Sequence, residues 1–362
     1  MTLNAVVSSN AIITLYFTIN QFIAKCEINK KKFKPEFLIK IIMYLCLNGI
    51  IVNTMKTEIF SLASGVDGLP LSVAMTRPEG TPKGIIQIVH GMIEHKERYF
   101  QLMEWLSEHG YACIISDLRG HGASIRTEDD LGYFGENGWL AFVEDTKVTG
   151  DKAREEFGDI PFTLIGHSMG SLVVRSYLKR YDSTIDRLIV SGSPSDNPAK
   201  GAGKVLSKAI GIARGTHYRS KILPSISFAG YNDAFKDDNY DRAWVCSDPE
   251  ILKAYHSDPL CSFDFTADGY TNLFELMTDC YGTSGWQVSK PDLPIRFISG
   301  ALDPCRGSDK AWRESIAFLQ ARGYKNVSGK LYPGMRHEVL NETDKLTVWN
   351  DILEMLLKTN NQ

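Results

Sequence analysis

No stretch of the chain gives an unbroken run of the ~20 apolar residues that a membrane-spanning helix needs. The nearest are 5–24, interrupted by Ser8, Ser9, Asn10 and Asn20, and 37–53, which is shorter and carries Lys40. The extreme N-terminus has no basic residue and no small-x-small site follows either run, which argues against a cleavable secretion signal. Charge of one sign is also missing. Lys and Arg number 40 against 43 Asp and Glu, a net charge of −3 over 362 residues, so there is no basic field to hold a nucleic acid. Among the seven cysteines, Cys113, Cys246, Cys261, Cys280 and Cys305 are scattered, without the short paired spacing of zinc or dithiol motifs. They read as reduced thiols of a cytoplasmic protein.

What is present is ample apolar content, 43% of residues, enough for a sizeable buried core. Residues 1–54 stand apart, with the two interrupted apolar runs on either side of Lys30, Lys31, Lys32 and Lys34. A weak membrane anchor, a disordered leader and a stretch upstream of the true start are all open readings, and the last two are preferred together. Met55 is followed at once by 56–64 and 69–76, which read as two strands, so a complete domain is expected from that point.

Beyond Met55, short apolar runs alternate with amphipathic stretches of helical length, the pattern of a mostly parallel sheet covered by helices on both faces. Buried strands are expected at 84–90, 111–117, 162–166, 187–191, 295–300 and 327–332. Helices are expected at 97–109, 138–157, 170–181, 309–322 and 344–358, the first stopping at Gly110. Between 195 and 290 the alternation breaks, although apolar residues such as Leu206, Ile210, Phe228, Phe263, Phe274 and Met277 continue. A structureless loop of that length is improbable in a compact domain, so 195–290 is expected to be a helical cap inserted into a core made of 55–194 and 291–362.

Chemistry is most legible in Gly166-His167-Ser168-Met169-Gly170, which a buried strand enters and a helix leaves. Glycines two positions either side of a serine permit a turn too tight for side chains there, and the serine is raised at a helix N-terminus. The alternative, a tight turn with an idle serine, is the weaker reading in that context. A serine hydroxyl needs a base held by a carboxylate. His337 follows the strand 327–332, and Asp303 follows the strand 295–300. Asp196, after the strand ending at Ser191, is the rival acid. Backbone donors for an oxyanion are expected from the amides of Met92 and Met169. His90 is expected to brace its loop, and the turn from Asp117 to Ser124 to be structural, with His121 lacking ligand partners. No cofactor or metal is called for.

With those residues assembled, the sequence resembles the monoacylglycerol lipase and lysophospholipase group of α/β-hydrolases, which shades into proline-type serine aminopeptidases. The likeness runs from Met55 to Leu357. It rests on His90-Gly91-Met92 with Glu94-His95, the stretch from Asp117 to Ser124, Gly166 to Gly170, Gly300 to Asp303, and Gly334 to Glu338. The resemblance implies an α/β-hydrolase fold with Ser168 as nucleophile, His337 as general base, Asp303 as orienting acid, and Met92 and Met169 as oxyanion donors. Met92 stands where lipase members commonly carry a small residue, a departure that bears on the acyl pocket and not on the amide. An ester of a single-chain lipid, a monoacylglycerol or lysophospholipid, is the implied substrate. Small-ester or prolyl-peptide hydrolysis is the alternative, the latter needing a carboxylate such as Asp233, Asp237 or Asp238 at the pocket. A non-catalytic binding protein on the same scaffold is the third reading. Transient contact with a membrane surface is expected through the cap or the N-terminal extension.

Overall fold

The computed structural model describes residues 57–358 apart from Asn239, so the readings of residues 1–54 lie outside the described residues. Eight strands form one sheet: β1 Thr57–Ala63, β2 Pro70–Thr76, β3 Ile85–Val89, β4 Ala112–Ser116, β5 Phe162–His167, β6 Arg187–Ser191, β7 Ile295–Gly300 and β8 Val327–Tyr332. Their spatial order is β1-β2-β4-β3-β5-β6-β7-β8. The first two pair antiparallel, β2 meets β4 antiparallel, and every pairing from β4 through β8 is parallel. Each expected strand lies within one residue of its observed ends.

The helices are α1 Phe100–Glu108, α2 Gly138–Phe157, α3 Met169–Tyr181, α4 Lys200–Arg214, α5 Ile222–Ser227, α6 Pro249–Ser257, α7 Ala267–Cys280, α8 Asp309–Ala321 and α9 Lys345–Leu357. Alternation along the strands divides the core in two. Leu164, Leu188 and Phe297 pack with Phe142 of α2 and Leu172 of α3. Their chain neighbours Ile165, Ile189 and Ile298 point to the other face, with Leu102 and Leu106 of α1 and Trp349 and Ile352 of α9. Burial on both faces is why the central strands are largely apolar rather than strictly alternating with polar residues.

One helix differs from its expected form. The stretch 97–109 enters as a 3-10 turn, Lys96–Tyr99, and becomes α-helical only from Phe100. Asp117 tightens that entry by accepting both the Lys96 backbone N–H and its Nζ at 2.8 Å.

Residues 195–290, between β6 and β7, hold α4 to α7 and short 3-10 turns, with no strand among the described residues. α7 lies against α3 and α2, and its Tyr270, Phe274, Leu276 and Met277 belong to the first core. α4 crosses α7 where Gly203 leaves room for the Phe274 ring. The five described cysteines are free and buried, and no described helix is long and apolar enough to cross a membrane.

Gly300 closes β7 against the loop after β8. A Cβ there would collide with the carbonyl oxygens of Met335 and Arg336, so the absent side chain lets the His337 loop seat on the strand end. Gly300→Ala is therefore expected to destabilise the fold by about 1–3 kcal/mol, as overpacking does. The urea midpoint reads this directly, and an unchanged midpoint would contradict the packing argument.

Candidate active site

β5 runs straight into α3 through Ser168, whose backbone sits at φ 53°, ψ −119°. A non-glycine residue in that region is strained and is held there by its surroundings. The Ser168 N–H is bound by the Ser191 carbonyl of β6 at 2.9 Å, and the Ser168 carbonyl accepts from the backbone N–H of Ser171 at 2.9 Å. Glycine is required on both sides for space, not for dihedral freedom. A Cβ on Gly166 would meet Val174 Cγ2 at 2.5 Å and strike the Gly170 carbonyl, and one on Gly170 would strike the carbonyls of Val89 and His90.

The ends of β7 and β8 bring Asp303 and His337 together. Asp303 Oδ1 lies 3.0 Å from His337 Nδ1 and also accepts from the Cys305 N–H at 2.9 Å, while Oδ2 accepts from Ser299 Oγ at 2.8 Å. Both residues are buried. Burial alone would push the imidazole down, but the Asp303 carboxylate outweighs it and carries the pKa well above 6.5. The same pairing holds the Asp303 carboxyl below its ordinary value against the upward push of burial. Asp196, the rival acid, is half-exposed and ion-paired with Lys200. His337 Nε2 lies 4.0 Å from Cys305 Sγ, and the ring packs on Trp244 and His167. Among the described contacts the Ser168 hydroxyl makes no hydrogen bond to that ring, an arrangement that often closes only around substrate. Ser168 and His337 do line one cleft.

Met92 and Met169 line it too. The loop that carries Met92 is held on both sides. His90 is buried, its Nδ1 2.8 Å from the Gly91 carbonyl and its Nε2 accepting the Leu118 N–H at 2.8 Å. Burial lowers its pKa to about 3, so the ring stays neutral and braces the loop as expected. Ile93 has a positive φ of 58°, and a Cβ on Gly91 would meet Ser168 Cβ at 2.9 Å. The Asp117–Ser124 turn is built around Asp117, which accepts the Ala123 N–H at 2.9 Å, and His121 stacks on Phe134.

Sequence reasoning missed the bridge beneath the cleft. Glu94 accepts from the Gly91 N–H and, at 2.9 Å, from Tyr99 Oη. Arg98 donates to Glu94 at 2.8 Å and to both oxygens of Glu338 at 2.5 Å, across 240 residues of chain. Burial raises the Glu94 carboxyl, whereas Arg98 holds Glu338 low despite burial. One guanidinium thus ties the loop of Met92 to the residue after His337. The i,i+4 spacing of Glu94 and Arg98 was a visible hint; the Glu338 partner had no local signal. Trp244 and Val245 of the inserted segment were equally hidden. Their carbonyls accept the N–H groups of His337 at 3.4 Å and Glu338 at 2.8 Å.

Residues 80–344 match the family model described as serine aminopeptidase, S33. A monoacylglycerol lipase of Mycolicibacterium smegmatis is 26% identical over 81% of this chain and 95% of its own length. Monoglyceride lipase of Mus musculus is 33% identical over 78% of this chain and 84% of its own. Among solved structures, a thermostable carboxyl esterase from Bacillus coagulans, in complex with glycerol, shares the fold with a TM-score of 0.72 and 24% identity, covering 84% of this chain and all of that one.

The Asp303–His337 pair fixes the expected pH dependence. The general-base role expected of His337 needs a neutral ring, so a raised pKa places the acid limb of the kcat/KM profile above 6.5, with activity lost below it. Asp303→Asn is expected to lower kcat about 10⁴-fold and to move that limb to lower pH. A limb unmoved in the variant would show that Asp303 does not set the ring's charge.

Proposed function

The chain belongs to the serine aminopeptidase S33 family of α/β-hydrolases and is a lipase- or esterase-type hydrolase, and from that premise we propose that it cleaves single-chain lipid esters through Ser168, His337 and Asp303. The observation that carries this reading is the buried Asp303–His337 contact opening on the same cleft as Ser168. In the first half-reaction Ser168 Oγ attacks the ester carbonyl and His337 Nε2 takes its proton. The amides of Met92 and Met169 stabilise the oxyanion, and His337 returns the proton to the departing alcohol oxygen. Water, deprotonated by His337, then attacks the acyl-enzyme; the carboxylic acid leaves and Ser168 recovers its proton.

Support for a lipid acyl chain comes from the cleft wall, where Leu172 of α3 meets Leu273, Phe274 and Met277 of α7. A prolyl-peptidase reading needs a carboxylate free to hold the substrate amine. None of Asp233, Asp237 and Asp238 lines the cleft, and the cleft's own Glu94 and Glu338 are both bound by Arg98. Esters are therefore favoured over peptides.

Membrane contact through the cap is part of the same proposal. α4 buries only its small residues Gly203 and Ser207 and turns Val205 and Ile212 outward, at 67% and 89% exposure. α5 adds exposed Ile222 and Ile226 and ends at Ser227, which with Phe228 lines the cleft. Outward apolar side chains, with Arg214 exposed beside Ile212, suit a bilayer surface.

Turnover of a monoacylglycerol and a medium-chain p-nitrophenyl ester is expected to exceed that of prolyl amides, with Ser168→Ala at least about 10³-fold slower. Faster cleavage of the amides, or an active Ser168→Ala, would defeat the proposal. Val205→Ser with Ile212→Ser is expected to weaken co-sedimentation with phosphatidylglycerol vesicles while leaving hydrolysis of the soluble ester unchanged. Undiminished vesicle binding would remove α4 from the membrane contact.

A further inference from the structure

Outside the cleft, a second group of chemically apt side chains meets across distant parts of the chain. His95 follows the loop of Gly91 and Met92, while Asp258 and Cys261 come 163 and more residues later, from the turn after α6. His95 Nε2 stands 2.8 Å from Asp258 Oδ2, and the ligand atoms of His95, Asp258 and Cys261 all lie within 4.8 Å of one another. The imidazole and the thiol are buried, and Asp258 is partly open to a surface cleft that Glu97 and Cys261 also line.

We propose that His95, Asp258 and Cys261 form a binding site for a divalent zinc-class metal ion, joining the loop beside the cleft to the inserted segment. Imidazole nitrogen, carboxylate oxygen and thiolate are the donor types zinc selects, and three protein ligands leave a fourth, tetrahedral position open to water from the surface cleft. Zinc bonds of about 2.0–2.3 Å set donors roughly 3.3–3.8 Å apart, so on binding His95 Nε2 and Asp258 Oδ2 separate by about 0.5 Å from their 2.8 Å contact and the thiol closes by no more than about 1 Å. Local geometry already favours this. Asp258 Oδ1 is engaged by the Leu260 N–H at 2.8 Å, capping the short turn Pro259–Cys261 that carries the thiol, which leaves Oδ2 for the metal. Glu97 Oε2 lies 2.5 Å from His95 Nδ1, the outer-shell carboxylate that fixes a ligating imidazole with Nε2 toward the ion. Binding displaces the proton on Nε2 and the one on Sγ into solvent, with no change of oxidation state.

The inference is independent of the ester-hydrolase reading, since none of the three ligands belongs to the proposed triad. It also explains how a metal site escapes a search for paired cysteines: folding assembles the donors, and no short motif does.

Chelator-stripped full-length protein is titrated with Cd²⁺, followed by thiolate-to-metal absorption, and with Zn²⁺ in competition with a chromophoric chelator. One ion per chain is expected. Cys261→Ser is expected to abolish the thiolate band, and Glu97→Gln, a half-exposed change that spares the ligands, to weaken Zn²⁺ binding about 10-fold. Cys305→Ser is the control, because Asp303, Cys305 and His337 form the other cluster of this kind among the described residues. A band lost in Cys305→Ser but kept in Cys261→Ser would move the ion to that cluster and overturn the proposal. The wild-type chain showing no band would overturn it equally, leaving His95 as an imidazolium between two carboxylates.

Discussion

The site depends on backbone crowding at one turn. Gly170 packs so closely under Val89 and His90 that no side chain fits between them, and this fixes the start of α3 against the end of β3. Ser168 keeps its strained backbone because Ser191 and Ser171 hold it from both sides. The same contact sets the Met92 loop beside the serine, so the proposed nucleophile and oxyanion donors are positioned by one constraint. Parallel strand pairing does the rest, since β5, β7 and β8 all deliver their C-terminal loops to the same edge of the sheet.

Charge then couples what packing brings near. Arg98 joins Glu94, which holds the Gly91 amide, to Glu338, which follows His337. The two loops flanking the cleft are thus tied by one buried cation, and the inserted segment adds its own hold through the carbonyls of Trp244 and Val245. A buried guanidinium shared by two carboxylates is costly to break from either side, because the partner left behind is an uncompensated charge. The arrangement favours one fixed geometry over adaptability at the Ser168–His337 end of the cleft. The apolar wall from α7, which belongs to the main core, extends that rigidity along the cleft.

Much of this was legible in the residues. Short apolar runs such as 187–191 and 295–300, each followed by a turn, read as buried strands, and glycines at 166 and 170 around Ser168 announce the turn between strand and helix. Asp303 and His337 stand out in sequence because each follows a strand, and the structure pairs them, whereas Asp196 is ion-paired with Lys200. Contacts made across the fold were illegible. Nothing near Arg98 names Glu338, and the closeness of Cys305 to His337 follows from the turn Pro304–Arg306 rather than from any spacing in the chain. The insertion resisted reading for a related reason. The outward-facing Val205 and Ile212 of α4 look like core residues in sequence, and only the packing of Gly203 on Phe274 reveals which face is buried.

The central claim is that Ser168 is the one hydroxyl raised to covalent reactivity, by His337 acting with Asp303. Its most direct measurement is peptide mapping by mass spectrometry after a fluorophosphonate probe has reacted with the full chain. The account predicts a single stoichiometric adduct on the peptide carrying Ser168, greatly slowed in His337→Ala. An adduct on another residue, or labelling of Ser168 that is indifferent to the loss of His337, would contradict it.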